Sequence, residues 1–407
     1  MRLEVVGMSG SGELAALYLE PAKAGTAWLL DPSKPEVSAA LRQAGNRQPS
    51  DPCDPVALAA DLDDLLVLLR ERHFGLATGV IPEAVWSEVD EWVRQWRQRL
   101  TSEAPATWGE ALGVDLHRLR WLVRDRHLSA AGEDPALLRQ VNPRAGEPVH
   151  EDSGGPCVEW YEAAGVLCVR LRTLDDSGGN EPLLARWRDA HAEHFAHDRI
   201  IVDVRGNGGG NDMYVHQWIS DHVPAPTTVM SARAWGLGGE ALYLWNTAVA
   251  LEAGRGADAV PESVRAKLPT PAPDMVLAEV EGAATLAAGD SPWHGRMLVL
   301  TDPRTGSSGE SGAWALRQAF GARLAGGRST GALRFGNITP YLLPRSGMLV
   351  RLASTQWVLY DGSSTWSGHD EVELVGLPVD VPLPADTPLA AVAADFDTHY
   401  QAGAAAP

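Results

Sequence analysis

Apolar residues recur along residues 56–125 at three- and four-residue steps. Leu58, Leu62, Leu65, Leu66 and Leu69 fall on one face of a helix. Trp86–Leu100 and Trp108–Val123 repeat the pattern. The last of these helices is expected to deliver Asp125 and His127 on the loop that follows it. The period then changes. Gly165–Leu171 (GVLCVRL), Arg199–Val204 (RIIVDV) and Met297–Thr301 (MLVLT) are short continuous apolar runs, as in buried strands. A helix is expected between the first two runs, at Glu181–Phe195, and another after the third, at Ser311–Phe320. Strand–helix–strand order predicts a parallel sheet, so the block 165–325 reads as α/β.

The flanks are less regular. Glu13–Leu19 and Ala27–Leu30 look like strands, which makes residues 1–50 a small β appendage. PSDPCDP at 49–55 is a turn or linker. A helical subdomain is expected over 54–150 and an α/β domain over 155–400. Residues 211–295 break the rhythm with Pro and Gly clusters and read as an insertion over one end of the sheet, a lid. Met348–Tyr360, with a turn at Asp361–Gly362, predicts a C-terminal β-hairpin.

Composition sets bounds. The chain has 407 residues, 45% apolar and 21% charged, enough to bury a substantial core. A net charge of −19 argues against nucleic acid, whose phosphates need clustered Lys and Arg, and against an anionic membrane surface. No run approaches the roughly 18 apolar residues of a membrane span. The first residues lack a basic start followed by an apolar run, so a cytoplasmic protein is expected. Cys53, Cys157 and Cys168 are too scattered for a thiolate metal site, and reduced thiols are the simpler reading. The fifteen Trp are expected mainly in the core.

Two segments carry candidate chemistry. RIIVDVRGNGGGND (199–212) runs from a strand into Gly206, Gly208, Gly209 and Gly210, where bare N–H groups could cradle an anion. A dinucleotide fingerprint would need Gly or Ala where Asn211 stands, and a phosphate loop would need Gly-Lys-Ser/Thr. An oxyanion loop fits, and so does a plain tight turn. LVLTDPRTGSSGESGAWALRQAF (298–320) runs from a strand through Ser307 and Ser308 into a helix. Free N–H groups and the helix dipole favour negative charge there, which suits a nucleophilic serine and its oxyanion. The bland alternative is that Ser307 or Ser308 merely caps the helix.

Such a serine needs a base. His127, in RDRHLSA, leaves the helical pattern beside charged residues, and His369 in WSGHDE is its rival. His191, His194 and His197 share one helix face, but without a carboxylate or Cys at ligand spacing they read as a solvated face rather than a metal site.

These segments together resemble the tail-specific (C-terminal-processing) serine peptidases. IIVDVRGNGGG is similar to the family's strand and glycine loop, and VLTDPRTGSSGE to its nucleophile turn. LAGGRSTGA (324–332) is similar to its threonine–glycine loop, and EVELVGLPVDVPL (371–383) to its final Glu-x-x-Gly-x-x-x-Asp segment. The likeness covers about 56–385 in the family's order. The Ser–Lys branch places a lysine after the threonine–glycine loop, where this chain reads TGALRFGN. It therefore resembles the tricorn-core branch, in which a histidine of the helical block is the base. Arg126 stands where tricorn cores carry a serine, and residues 128–164 are too few for the family's PDZ domain.

The resemblance implies a crotonase/ClpP-like ββα core with an N-terminal helical subdomain. It implies Ser307 as nucleophile, His127 as base and Glu373 as the group that orients it. The N–H of Ser308 and one from Gly208 or Gly209 would hold the oxyanion. The reaction would be acyl transfer to Ser307 from a peptide or small acyl substrate, with no metal and no cofactor. Activity would rise as His127 loses its proton, near pH 6–7 at an ordinary pKa. A dedicated small-molecule acyl hydrolase or cyclase, and a non-catalytic carrier of an apolar ligand, are the competing readings. A homo-oligomer is left open.

Overall fold

The computed structural model describes residues 15–18, 39–40, 43–73, 75, 81–134, 154–237, 277–356, 358–359 and 372–402. These residues form a mixed α/β protein whose chain groups into two compact units. The first comprises Met1–Ala145, Arg233–Gly282 and Phe335–Trp357; the second comprises Gly146–Ala232, Ala283–Arg334 and Val358–Pro407. The grouping is discontinuous, because the chain leaves and re-enters each unit.

The first unit is built on the expected helices, α1 (Pro55–Arg72), α2 (Glu83–Glu103) and α3 (Trp108–Leu122). PSDPCDP does more than link: Asp54 caps α1 by accepting the N–H groups of Val56 and Ala57, with Pro55 at the first helical position. Thr107 and Glu110 form a reciprocal capping box at α3. Leu58, Leu62, Leu65 and Leu69 are completely buried, together with Trp96, Leu112 and Leu116. Beyond α3 comes β2 (Ser129–Ala130), paired with β11 (Leu349–Gln356). β1 (Ala15–Tyr18) pairs antiparallel with β7 (Leu277–Leu286), so the first expected strand exists; Ala27–Leu30 lies outside the described residues. With β6 (Thr227–Leu237) and β10 (Phe335–Leu342), the sheet runs β1-β7-β6-β11-β10.

β10 and β11 form a hairpin that turns at residues 343–348, with Leu349–Gln356 as its second strand. Gly347 turns with φ +68°, and buried Asp61 accepts the N–H groups of Arg345 and Ser346. Gly336 and Pro340 hid β10 from a reading based on apolar runs. β12 (Val358–Leu359) pairs with β6, and Asp361–Gly362 lies outside the described residues.

The second unit holds the expected parallel sheet. β3 (Val158–Ala163) and β4 (Val166–Leu171) form an antiparallel hairpin. β5 (Arg199–Asp203), β8 (Arg296–Thr301), β9 (Arg323–Gly326) and β13 (Val381–Pro382) continue parallel, in the order β13-β9-β8-β5-β4-β3. The crossover from β4 to β5 is a helix broken at Ala190 into α4 (Glu181–Asp189) and α5 (His191–His194). α6 (Met213–Ile219) follows the glycine loop, and α7 (Ser308–Phe320) follows β8, starting three residues before the expected Ser311. α8 (Leu389–Ala394) and α9 (Phe396–Ala402) bury Leu389, Val392 and Phe396 against Val166, Ile201 and Leu298.

Candidate active site

β8 ends at Thr301, and the chain then folds back on Asp302. This buried carboxylate accepts the N–H groups of Arg304 and Thr305, and also that of Gly206 in the glycine loop. Thr305 Oγ1 donates to the Val204 carbonyl at 2.9 Å, and the Gly306 N–H donates to the Asn207 carbonyl at 2.8 Å. Two loops far apart in sequence are thus tied at three points just ahead of Ser307.

Ser307 has φ 49° and ψ −122°. It does stand at the cap of the helix, in a capping box with Glu310, but its backbone lies outside the extended region usual for a capping residue. A non-glycine residue at such a φ is strained and needs its surroundings to hold it there. Glu310, fully buried, accepts the Ser307 N–H on Oε2 at 2.9 Å. The same carboxylate takes the Ala332 N–H on Oε2, and the Gly331 N–H and Ser329 hydroxyl on Oε1. Burial pushes the Glu310 carboxyl up from its ordinary pKa, and these hydrogen bonds oppose that shift. Thr330 completes the support, donating its hydroxyl to the Pro303 carbonyl at 2.6 Å.

The glycine loop lies against Ser307. A Cβ on Gly209, whose φ is +119°, would stand 2.9 Å from Ser307 Cβ and 3.2 Å from the Ser308 nitrogen. Ser308 Oγ donates to the Gly210 carbonyl at 2.7 Å, so Ser308 clamps the loop instead of capping the helix. Ser307, Ser308, Gly208 and Gly209 are therefore brought together. One expected donor is lost: the Gly209 N–H is committed to Asn207 Oδ1 at 2.9 Å. Gly208 is exposed, and its N–H forms no hydrogen bond among the described residues.

Glu373, in the second unit, is buried with Oε2 accepting the N–H groups of Leu333 (3.1 Å) and Arg334 (2.8 Å). The rest of its segment is structural. The Leu374 N–H donates to the Gly331 carbonyl, and Asp380 holds Arg317 of α7 and the Leu324 N–H.

His127 belongs to the first unit. Its turn is fixed by Asp125, whose Oδ1 accepts the His127 N–H at 2.8 Å, and by Arg120, which donates to the Leu128 carbonyl. Burial pushes the His127 ring below its ordinary pKa; Asp125 opposes this, while Arg120 and Arg126 add to it. The rival His369 lies outside the described residues. The histidine helix is not a solvated face: His194 is wholly buried, accepting a hydrogen bond from Trp218 Nε1, and His191 Nδ1 meets His222 Nε2 at 3.0 Å.

Sequence reasoning missed Asn207, Asp302, Ser329 and His73. Asn207 stood in view among the glycines, but nothing in the pattern said that its side chain would turn inward. No described helix is long and apolar enough to cross a membrane.

The family model for peptidase family S41 matches residues 169–373, from within β4 to Glu373, just over half of the chain. Three solved structures are similar at low identity. A Parabacteroides merdae protein proposed to be a peptidase is 14% identical, with TM-score 0.46, over 80% of this chain and 90% of that one. A photosystem II D1 C-terminal processing protease is 12% identical, with TM-score 0.40, over 81% and 94%. A lipoprotein from Streptococcus agalactiae is 10% identical, with TM-score 0.42, over 80% and 91%. No curated protein matches this sequence. The match over residues 169–373 spans the glycine loop, the Ser307 turn and the threonine–glycine loop, and the chain accordingly belongs to peptidase family S41, the serine peptidases.

Proposed function

We propose that Ser307 is the nucleophile of this serine peptidase, His127 its general base and Glu373 an orienting carboxylate, as in the Ser–His–Glu, tricorn-core-like branch of the family. The observation that carries the reading is the strained backbone of Ser307, φ 49°, held open at the start of α7 by Glu310. Strain of this kind collects at functional sites.

His127 takes the Ser307 hydroxyl proton as Oγ attacks the peptide carbonyl, and the imidazolium returns that proton to the leaving amine. The N–H of Ser308, at the first position of α7, and the N–H of Gly208 receive the developing oxyanion. One such donor contributes about 3 kcal/mol to lowering the barrier. Water then releases the acyl group from Ser307 with His127 again as base. Lowering of the His127 pKa by burial keeps the ring neutral, and so able to accept a proton, at pH values below the ordinary histidine range.

Intact-mass labelling with a fluorophosphonate tests the assignment. One adduct is expected on the wild type and none on Ser307→Ala or His127→Ala. An adduct that survives in folded Ser307→Ala would refute the nucleophile.

A further inference from the structure

The first unit contains a buried relay that the assignment of His127 as base does not by itself explain. Asp125 and His73 are both fully shielded from solvent, and His73 Nε2 meets Asp125 Oδ2 at 3.0 Å. Asp125 Oδ1 accepts the His127 N–H at 2.8 Å and lies 3.9 Å from His127 Nδ1. The His73 ring stands edge-on to Phe335, centroids 5.5 Å apart. A buried carboxylate is tolerated only where its oxygens are taken up. Here one oxygen faces His73 and the other faces the backbone of His127.

We infer that Asp125 is a positioning residue for His127, and that His73 fixes Asp125 in turn. This rests on the reading of His127 as the base for Ser307. The backbone bond from His127 sets where the imidazole begins. The separation of 3.9 Å is too long for a hydrogen bond to the ring, so Asp125 acts on it through its field. A negative charge on the Nδ1 side favours the tautomer protonated there, which leaves Nε2 with the lone pair a base needs. The same charge stabilises the imidazolium once Ser307 has given up its proton. His73, donating from Nε2, prevents the carboxylate from swinging Oδ1 away. The other charges acting on the ring, Arg120 and Arg126, oppose Asp125, and Arg120 is itself paired with Glu133. Glu373, with Oε2 already accepting two backbone N–H groups, shares the orienting role with a residue of the histidine's own unit.

The test reads the ring and the chemistry separately. Imidazole nitrogen NMR on full-length Ser307→Ala should show His127 protonated at Nδ1 at neutral pH. Adding Asp125→Asn, which keeps an oxygen for the His127 N–H, should lower the midpoint of that ring's titration. With Ser307 restored, Asp125→Asn should slow fluorophosphonate labelling about 10- to 100-fold, with the acid limb of its pH profile moved down. His73→Leu should lose rate, and His73→Gln, which restores an N–H donor, should regain most of it. A ring protonated at Nε2 in the Ser307→Ala background would overturn the inference without needing any Asp125 variant to fold. Unmoved titration and labelling in folded Asp125→Asn would overturn it as well. If His127→Ala labels like the wild type, the base assignment has failed and takes the catalytic meaning of Asp125 with it; the NMR result separates the two failures.

Discussion

Glu310 Oε2 accepts the backbone N–H of Ser307 at 2.9 Å, so the third residue of α7 also holds Ser307 in its strained conformation. The other three donors to this carboxylate come from Ser329, Gly331 and Ala332. The Ser307 turn and the threonine–glycine loop therefore hang on one buried group. A residue at φ 49° carries roughly 1–3 kcal/mol of strain and persists only where its surroundings over-determine it.

Glu310→Gln is expected to inactivate the enzyme despite its nearly identical shape. Each carboxylate oxygen accepts two donors, so an amide nitrogen in either place would face two donors with nothing to accept them. The cost should be about 2–4 kcal/mol, seen as a lower Tm, and fluorophosphonate labelling should be lost. A stable variant that labels at the wild-type rate would show that Glu310 only fills space.

Gly209→Ala should act on Ser307 directly. The new methyl would lie 2.9 Å from Ser307 Cβ and 3.2 Å from the Gly306 carbonyl, at a backbone φ of +119° that side chains avoid. Either Ser307 shifts or the glycine loop does, and both spoil alignment with Ser308 and Gly208. A fall of at least tenfold in kcat/KM is expected, with some loss of Tm. Gly178→Ala is the control for backbone strain alone: its φ is +63° and nothing lies near its Cβ position, so it should lose stability but little activity.

Much of this architecture is written in local pattern. The periodicity of Leu58, Leu62, Leu65 and Leu69 gives α1 because burial on one helix face dictates it. The strands β4, β5 and β8 are legible because a sheet covered on both sides demands continuous apolar runs. β3 was hidden: an edge strand reading VEWYEA alternates charge with bulk and buries only its first residue fully. β10 was hidden by Gly336 and Pro340. At the site, the glycine run announces a nest of N–H groups but not which of them point outward. Asn207 decides that by taking the Gly209 N–H. His73 and Asp125 are 52 positions apart, and no periodicity connects them; only the folded chain brings them into hydrogen-bond distance.

His194 should make the protein acid-sensitive. Burial, with a smaller effect from His197 and His191, lowers its pKa to about 4. Its Nδ1 accepts the Trp218 N–H at 3.0 Å, a role only the neutral ring can fill. The folded pKa lies below the unfolded one, so the unfolded chain takes up a proton first as pH falls. Stability is then full above about pH 6.5 and declines toward pH 4, by roughly 2–3 kcal/mol. His194→Asn keeps an acceptor near Nδ1 and removes the titration. Urea melts at pH 7 and pH 4.5 should show a smaller difference between the two pH values in that variant than in the wild type; equal differences would assign the acid sensitivity to other groups.

Asn207 should matter to the transition state more than to substrate binding. Its Oδ1 accepts the Gly209 N–H, its Nδ2 donates to the Leu171 carbonyl at 3.1 Å, and its own carbonyl accepts the Gly306 N–H. It thus joins β4, the glycine loop and the Ser307 turn, and in the proposed mechanism it leaves the Gly208 N–H to the oxyanion. Asn207→Ala would strand two buried polar groups, at about 1–3 kcal/mol of stability. It would also release Gly209 to rotate, so that Gly208 no longer aims at the oxygen that becomes charged. Since that charge exists only in the transition state, kcat should fall by about 10²-fold while KM changes little. Asn207→Asp should do no better, because the new oxygen would face the Leu171 carbonyl where a donor is required. A folded Asn207→Ala enzyme with unchanged kcat and a raised KM would mean that the loop binds substrate instead of stabilising the oxyanion.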